Sequence, residues 1–252
     1  MGITTSILIL VRHGQSEWNA TNQFTGWYDC DLTQKGVEEA LSGAQLIKEA
    51  GLLPDAIYTS LQKRAIRTAD IILEELACEE MPVERSWHLN ERHYGDLTGK
   101  DKAAVRKEFG DDQLHAWRRG YNTPPPPISK NNPFNPNNDP QYEGLPDIPL
   151  TECLADVVER LLPYWKNNIL PSLDGGKTVL VVAHGNSLRA LCKYLDAISE
   201  DDIADLNIPT GAPLVYYLNE DGFPLQSMPV LDRSLDEEAA RAAAEAVARQ
   251  TH

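Results

Sequence analysis

The sequence predicts an α/β fold: a three-layer sandwich with a central, mostly parallel sheet flanked by helices, and a helical and loop insertion over the ligand-binding rim. Three observations predict it. Residues 7–11 (Ile-Leu-Ile-Leu-Val) and 179–183 (Val-Leu-Val-Val-Ala) are short apolar runs rich in branched side chains, each stopped by His-Gly. Such runs suit strands buried on both faces of a parallel sheet. Strand-like runs then alternate with segments of helical periodicity, the pattern of a single α/β domain. Finally, both apolar runs end on a histidine, His13 (after Arg12) and His184, and ligands bind at the carboxyl ends of strands in such sheets.

After the first strand, residues 22–32 read as a polar loop with aromatic residues. A helix over 33–50 follows, closed by Gly51, and then a short strand over 57–60. Residues 64–77 form the next helix. The run 82–85 is a strand near the sheet edge, because it opens on Pro82. Residues 89–150 are the insertion, with helical stretches at 101–109 and 111–119. Within it, 122–149 holds nine of the chain's 17 prolines and many asparagines, which removes backbone donors and favours turns. Leu154, Val157, Val158, Leu161, Leu162 and Trp165 fall on one helical face, interrupted only by Pro163. The strand over 179–183 leads into a helix over 187–196, and 214–218 is a last, edge strand. Residues 233–252 are a mobile, helix-prone tail with little apolar face. The whole of 1–252 reads as one domain without repeats or a second core.

Composition narrows the function. A formal charge of −15 disfavours nucleic acid as a partner, since duplex binding needs a basic face. It leaves a small anion open, because charges beyond about 8 Å are screened at physiological salt. Cys30, Cys78, Cys153 and Cys192 are widely spaced, which predicts reduced thiols, no zinc site and a cytoplasmic protein. No apolar run is long enough for a membrane span. The start, Met1 to Ser6, fits a myristoylation pattern, but the first strand begins at once and no polybasic patch follows.

Longer motifs surround the two histidines. They are Arg12-His13-Gly14-Gln15-Ser16-Glu17-Trp18-Asn19, Phe24-Thr25-Gly26-Trp27-Tyr28-Asp29, Lys63-Arg64-Ala65-Ile66-Arg67-Thr68, and Leu89-Asn90-Glu91-Arg92-His93-Tyr94-Gly95. Trp117-Arg118-Arg119, Ala183-His184-Gly185-Asn186-Ser187-Leu188-Arg189 and Leu206-Asn207-Ile208-Pro209-Thr210-Gly211 complete the set. In this order, across nearly the whole chain, they resemble the cofactor-dependent phosphoglycerate mutases of the histidine phosphatase superfamily.

The resemblance implies exchange of 3-phosphoglycerate and 2-phosphoglycerate through phosphohistidine at His13, with 2,3-bisphosphoglycerate as intermediate and priming cofactor. It implies no metal. Imidazole suits the step, being both a nucleophile and a good leaving group near neutral pH. Glu91 corresponds to the acid–base residue, which must spend part of the cycle protonated. Arg12, Arg64 and His184 correspond to the pocket around the transferred phosphoryl group, where bidentate guanidinium donors are needed. Ser16, Asn19, Thr25, Gly26, Gly185 and Asn186 correspond to further phosphate and glycerate contacts. Tyr94, Lys102, Arg118 and Arg119, with Arg92, correspond to the grip on the substrate's outer end. A homodimer or homotetramer is implied.

Some residues depart from the family pattern. Gln15 replaces a common glutamate, Cys153 a common serine, and Lys100-Asp101 an apolar–amide pair before Lys102; the ending Gln250-Thr251-His252 lacks a lysine-rich tail. Three other readings use the same motifs: a synthase of the bisphosphate, a phosphatase of the same fold, and a non-catalytic binding module. Ser16 and Thr25-Gly26 disfavour the first, and the insertion with Trp117-Arg118-Arg119 the second. The filled catalytic positions disfavour the third.

Overall fold

The structure, a computed structural model, describes residues 5–249. Most of the amino-terminal pattern and the last three residues lie outside them. Five strands, β1 (Ser6–Arg12), β2 (Ala56–Thr59), β3 (Val83–Arg85), β4 (Thr178–Ala183) and β5 (Pro213–Leu218), form one sheet in the order β3-β2-β4-β1-β5. β1 runs parallel to β4, β4 to β2 and β2 to β3, while β5 closes the other edge antiparallel to β1. The Pro82 run is therefore an edge strand, as its proline predicts.

Period-two alternation makes the three layers. Leu8, Leu10, Val179 and Val181 face one cluster, with Leu161, Trp165, Leu188 and Leu191. Ile9, Val11, Leu180 and Val182 face the other, with Ala44, Ile47, Ala69 and Ile72. The first layer is supplied by α6 (Leu154–Tyr164) and α7 (Gly185–Leu195), the second by α2 (Gln34–Glu49) and α3 (Lys63–Glu75). A short helix, α1 (Glu17–Ala20), interrupts the loop after β1; its four residues bury nothing, so apolar periodicity could not reveal it.

Pro163 does not end α6. The chain passes through it into a π turn, Trp165–Ile169, and a 3-10 turn, Leu170–Leu173. Trp165 and Ile169 are fully buried, and that packing outweighs the missing donor.

The insertion carries α4 (Lys102–Phe109) and α5 (Asp111–Arg119) and a small cluster of its own, Phe24, Leu97, Val105, Leu114 and Trp117. The proline-rich stretch has only 3-10 turns, capped where Asn135 accepts from the Asn137 N–H and Asp139 from the Gln141 N–H. Tyr142 Oη donates to Trp27 O at 2.9 Å and fastens this stretch beside the cleft. At the carboxyl end, α8 (Glu237–Arg249) buries Ala240 and Ala244, and Val247 reaches the cleft wall. Its apolar stripe is made of alanines, too small to register as a strong pattern.

Candidate active site

β1 and β4 are adjacent and in register, Arg12 opposite Ala183, so the residues after them emerge side by side. The helices that follow leave to opposite faces, α2 to one and α7 to the other. That is the crevice at which open α/β sheets bind ligands. His13 N donates to Ala183 O at 2.9 Å, and the imidazoles of His13 and His184 meet edge to face, ring centres 4.9 Å apart. β2 lies on the far side of β4 and delivers Ser60 and the start of α3 to the same rim.

Both imidazoles are held neutral. Burial, then the guanidinium groups of Arg64 and Arg12, push His13 well below its ordinary range. His13 Nδ1 lies 2.7 Å from Gly14 O, which fixes the proton on Nδ1 and leaves the lone pair on Nε2. Arg64 Nε donates toward that Nε2 at 3.3 Å. Burial, then Arg64, His13 and Arg12, depress His184 in the same direction. Ser60 Oγ accepts from the Gln62 N–H at 3.1 Å and lies 2.7 Å from His184 Nε2, to which its hydroxyl can donate. The His184 proton then sits on Nδ1, buried and without a partner among the described residues. One ring offers a nucleophile and the other a donor.

Glu91 arrives on the loop after β3. Its Oε1 accepts from Arg92 N (2.7 Å), Asn186 Nδ2 (2.9 Å) and Asn186 N (3.1 Å). Oε2 makes no hydrogen bond among the described residues, and Glu91 lines the cleft. Among the described residues Glu91 forms no salt bridge with Arg92. The Arg92 guanidinium instead lies over the Tyr94 ring at 4.6 Å and donates to Arg118 O at 3.0 Å.

The cleft wall includes Arg12, His13, Asn19, Thr25, Gly26, Arg64, Glu91, Tyr94, Lys102, Arg118, Arg119, Gly185 and Asn186. Of the residues expected there, Ser16 and Arg92 stand behind the wall. Ser16 caps α1: its backbone N and Oγ both donate to Asn19 Oδ1. His184 is fully buried behind His13. Arg12 Nε, Thr25 Oγ1 and His184 Nδ1 are buried polar atoms without partners, the kind an anion satisfies. Burial, then Arg118, Arg12 and Arg119, bring Lys102 down to about 7.

The two glycines after the histidines differ in purpose. A Cβ on Gly14 would lie 2.0 Å from Gly36 O, so Gly14 permits α2 to pack on the strand end rather than a ligand to approach. A Cβ on Gly185 would meet Arg12 at 3.5 Å and Glu91 Oε2 at 3.7 Å, inside the cleft.

Sequence reading missed Ser60, Gln62 and Arg189. Gln62 is fully buried; its Oε1 accepts from Glu91 N (2.8 Å) and Arg64 Nη2 (3.3 Å), and its Nε2 donates to Gly26 O (2.8 Å). Its only signal was position, just past a third strand end.

Comparison with known proteins agrees with this arrangement. The family model described as histidine phosphatase superfamily (branch 1) matches residues 8–230. A 2,3-bisphosphoglycerate-dependent phosphoglycerate mutase of Thermobifida fusca is 58% identical over 97% of this chain and 99% of that one. One of Rhodococcus jostii is 54% identical over 99% and 98%. Among solved structures, phosphoglycerate mutase from Bacillus anthracis aligns with TM-score 0.65 at 21% identity, over 96% and 98% of the two chains. A mycobacterial glucosyl-3-phosphoglycerate phosphatase aligns with TM-score 0.65 at 23% identity, over 83% and 92%. These two structures share the fold. With its paired strand-end histidines, its cationic cleft and a family match spanning most of its length, the chain belongs to the histidine phosphatase superfamily, branch 1.

Proposed function

We propose that this chain is a 2,3-bisphosphoglycerate-dependent phosphoglycerate mutase, interconverting 3-phosphoglycerate and 2-phosphoglycerate. The observation that carries it is the trio of a neutral His13 with its Nε2 lone pair toward Arg64, a Glu91 with one oxygen tethered and one free, and a second group of cations on the same wall. High identity to mutases along nearly the full length of both chains supports the same reading.

In the proposed cycle, His13 Nε2 attacks a phosphorus of the bisphosphate. The P–O bond breaks as Glu91 Oε2 gives its proton to the leaving alkoxide. In the reverse sense, the C2 hydroxyl of 3-phosphoglycerate attacks the phosphorus of phosphohistidine, its proton passes to Glu91 and the P–N bond breaks. The bisphosphate so formed turns and returns its 3-phosphoryl group to His13. Arg12, Arg64 and His184 Nδ1 balance charge on the moving group, and Lys102, Arg118 and Arg119 hold the other anionic end. Tyr94, on the cleft wall, joins that grip, while Ser16 and Arg92 act by fixing neighbours. These cations supply the neutralisation that a divalent ion supplies elsewhere, so we propose a metal-independent reaction. Residues 1–252 act as one domain, assembled as a dimer or tetramer in the cytoplasm. The four cysteines are unpaired, and no described helix is long and apolar enough to cross a membrane.

The test is conversion of 3-phosphoglycerate in excess chelator, with and without trace bisphosphate, while free phosphate is followed. Chelator-resistant isomerisation stimulated by the bisphosphate is expected, and His13→Ala should abolish both turnover and phosphoenzyme. Phosphate release without isomerisation would make the chain a phosphatase; appreciable turnover in His13→Ala would sink the mechanism.

A further inference from the structure

Arg189 has no role in the cycle above, yet it is a buried cation on the first turns of α7 and reaches the cleft wall. Burial, then Arg119 and Arg92, pull it down to about 9, and no carboxylate pairs with it among the described residues. A guanidinium kept in such a place without an ion pair carries a desolvation cost that its contacts must justify. Its Nη2 donates to Ile203 O at 2.6 Å and its Nη1 to Asn186 Oδ1 at 2.9 Å.

We propose that Arg189 is a positioning residue for proton transfer: by holding Asn186 Oδ1 it sets which oxygen of Glu91 exchanges a proton with the substrate. The inference rests on the reading of Glu91 as the acid–base group. The chain of contacts runs from Arg189 Nη1 to Asn186 Oδ1, and from Asn186 Nδ2 to Glu91 Oε1 at 2.9 Å and to Tyr94 Oη at 3.1 Å. A guanidinium can only donate, so the amide oxygen must face it and the amide nitrogen must face Glu91. Reversing the amide would set donor against donor at Arg189 and acceptor against acceptor at Glu91. With Oε1 already receiving three N–H donors, the exchangeable proton belongs on Oε2, the oxygen without a partner. Without Arg189 the amide turns freely, and its oxygen can accept a proton held on Oε1. The acid is then protonated on the oxygen turned away from the leaving group.

The consequence depends on the leaving group. Transfer from an alkyl phosphate needs the proton, because an alkoxide leaves poorly; nitrophenolate leaves without one. We would measure phosphorylation of His13 in single turnovers from 2,3-bisphosphoglycerate and from p-nitrophenyl phosphate. In Arg189→Met the limiting rate with the bisphosphate should fall about tenfold or more, part of the range general acid catalysis supplies. The p-nitrophenyl rate should stay within about twofold, and half-saturating concentrations should hold. Adding Asn186→Ala to Arg189→Met should slow the bisphosphate reaction no further than Asn186→Ala alone. Equal losses on both esters would mean a merely structural arginine, and a raised half-saturating concentration with an intact limiting rate would mean a direct anion contact. Either result overturns the proposal. If Arg189→Met does not fold, the same ratio is read in Arg189→Lys, which keeps the cation and loses the two-pronged donor. Failure of the underlying reading shows separately: Glu91→Gln would then leave the ratio of the two esters unchanged.

Discussion

Replacing Gln62 by leucine keeps the side chain's bulk and removes its three hydrogen bonds at the centre of the site. Their partners do not suffer equally. Gly26 O still accepts from Arg64 Nη2 at 2.9 Å, so both of those groups remain bonded. The Glu91 N–H, held at 2.8 Å, loses its acceptor and is left buried. Leaving such a donor unpaired costs about 1–3 kcal/mol, and losing the bond to Gly26 about 0.5–1.5 kcal/mol more. Gln62→Leu should therefore lose about 2–4 kcal/mol of stability, which for a chain this size lowers the melting temperature by about 4–16 °C. Turnover should fall as well, because the freed backbone N–H belongs to the acid–base residue. Gln62→Glu separates the two effects: it keeps an acceptor for Glu91 N, but sets a carboxylate beside Arg64 that competes with phosphate. That variant should need more substrate for half-saturation. Melting followed by circular dichroism, beside steady-state kinetics, makes the comparison. A Gln62→Leu protein that melts within about 1 °C of wild type with unchanged turnover refutes Gln62 as the tie between these elements.

Three further outcomes follow from the same geometry. Gly14→Ala puts a methyl group 2.0 Å from Gly36 O and should cost about 3 kcal/mol or more, whereas Gly185→Ala should fold normally and lose activity, because its methyl group intrudes between Arg12 and Glu91; thermal melts and kinetics of the pair check this. His93, brought down to about 4 by burial and then by Arg160, binds its proton more weakly folded than unfolded, so stability is full above about pH 6.5 and drains as pH falls toward 4. His93→Gln should remove on the order of 3 kcal/mol of that acid sensitivity in denaturant titrations, the depressed His13 and His184 keeping the rest. Lys102, brought down to about 7 by burial and then by neighbouring arginines, should take up a proton when an anion binds; calorimetry of bisphosphoglycerate binding in two buffers should show an uptake that Lys102→Arg lacks.

The fold was legible because its pattern lies in apolar periodicity: alternating residues in β1 and β4 face two different helical layers, and α6 shows its stripe despite Pro163. The histidine pair was legible because each follows such a strand. What stayed hidden depends on contacts between distant segments. Ser60 and Gln62 are short polar residues whose function exists only once β2 lies beside β4 and the Glu91 loop folds over them. Arg189 sits in a helix whose neighbours are core leucines, so its sequence context suggests packing. Ser16 and Arg92 were read as contact residues, and the structure places each one step back, the first capping α1 and the second under Tyr94.

The cleft resolves how a chain of net charge −15 can take a multiply charged anion. The two arginines beside His13 are pinned by backbone carbonyls rather than by carboxylates. Arg12 donates to Ile208 O, and Arg64 to Tyr28 O and Gly26 O. The ion pairs among the described residues use other side chains, such as Arg160 with Glu152 and Arg233 with Asp196. Carbonyl oxygens orient a guanidinium without cancelling its charge, so these arginines present their positive charge before the substrate arrives. That arrangement sacrifices folding stability, since buried cations repel one another and lack counter-ions. It gains a pocket whose donors are already oriented when charge develops on the transferring group, and fixed donors in a water-poor site are where electrostatic catalysis is strongest. Glu91, the carboxylate on the described wall, is tethered through one oxygen, which keeps it from folding onto Arg12 and quenching the charge it works beside.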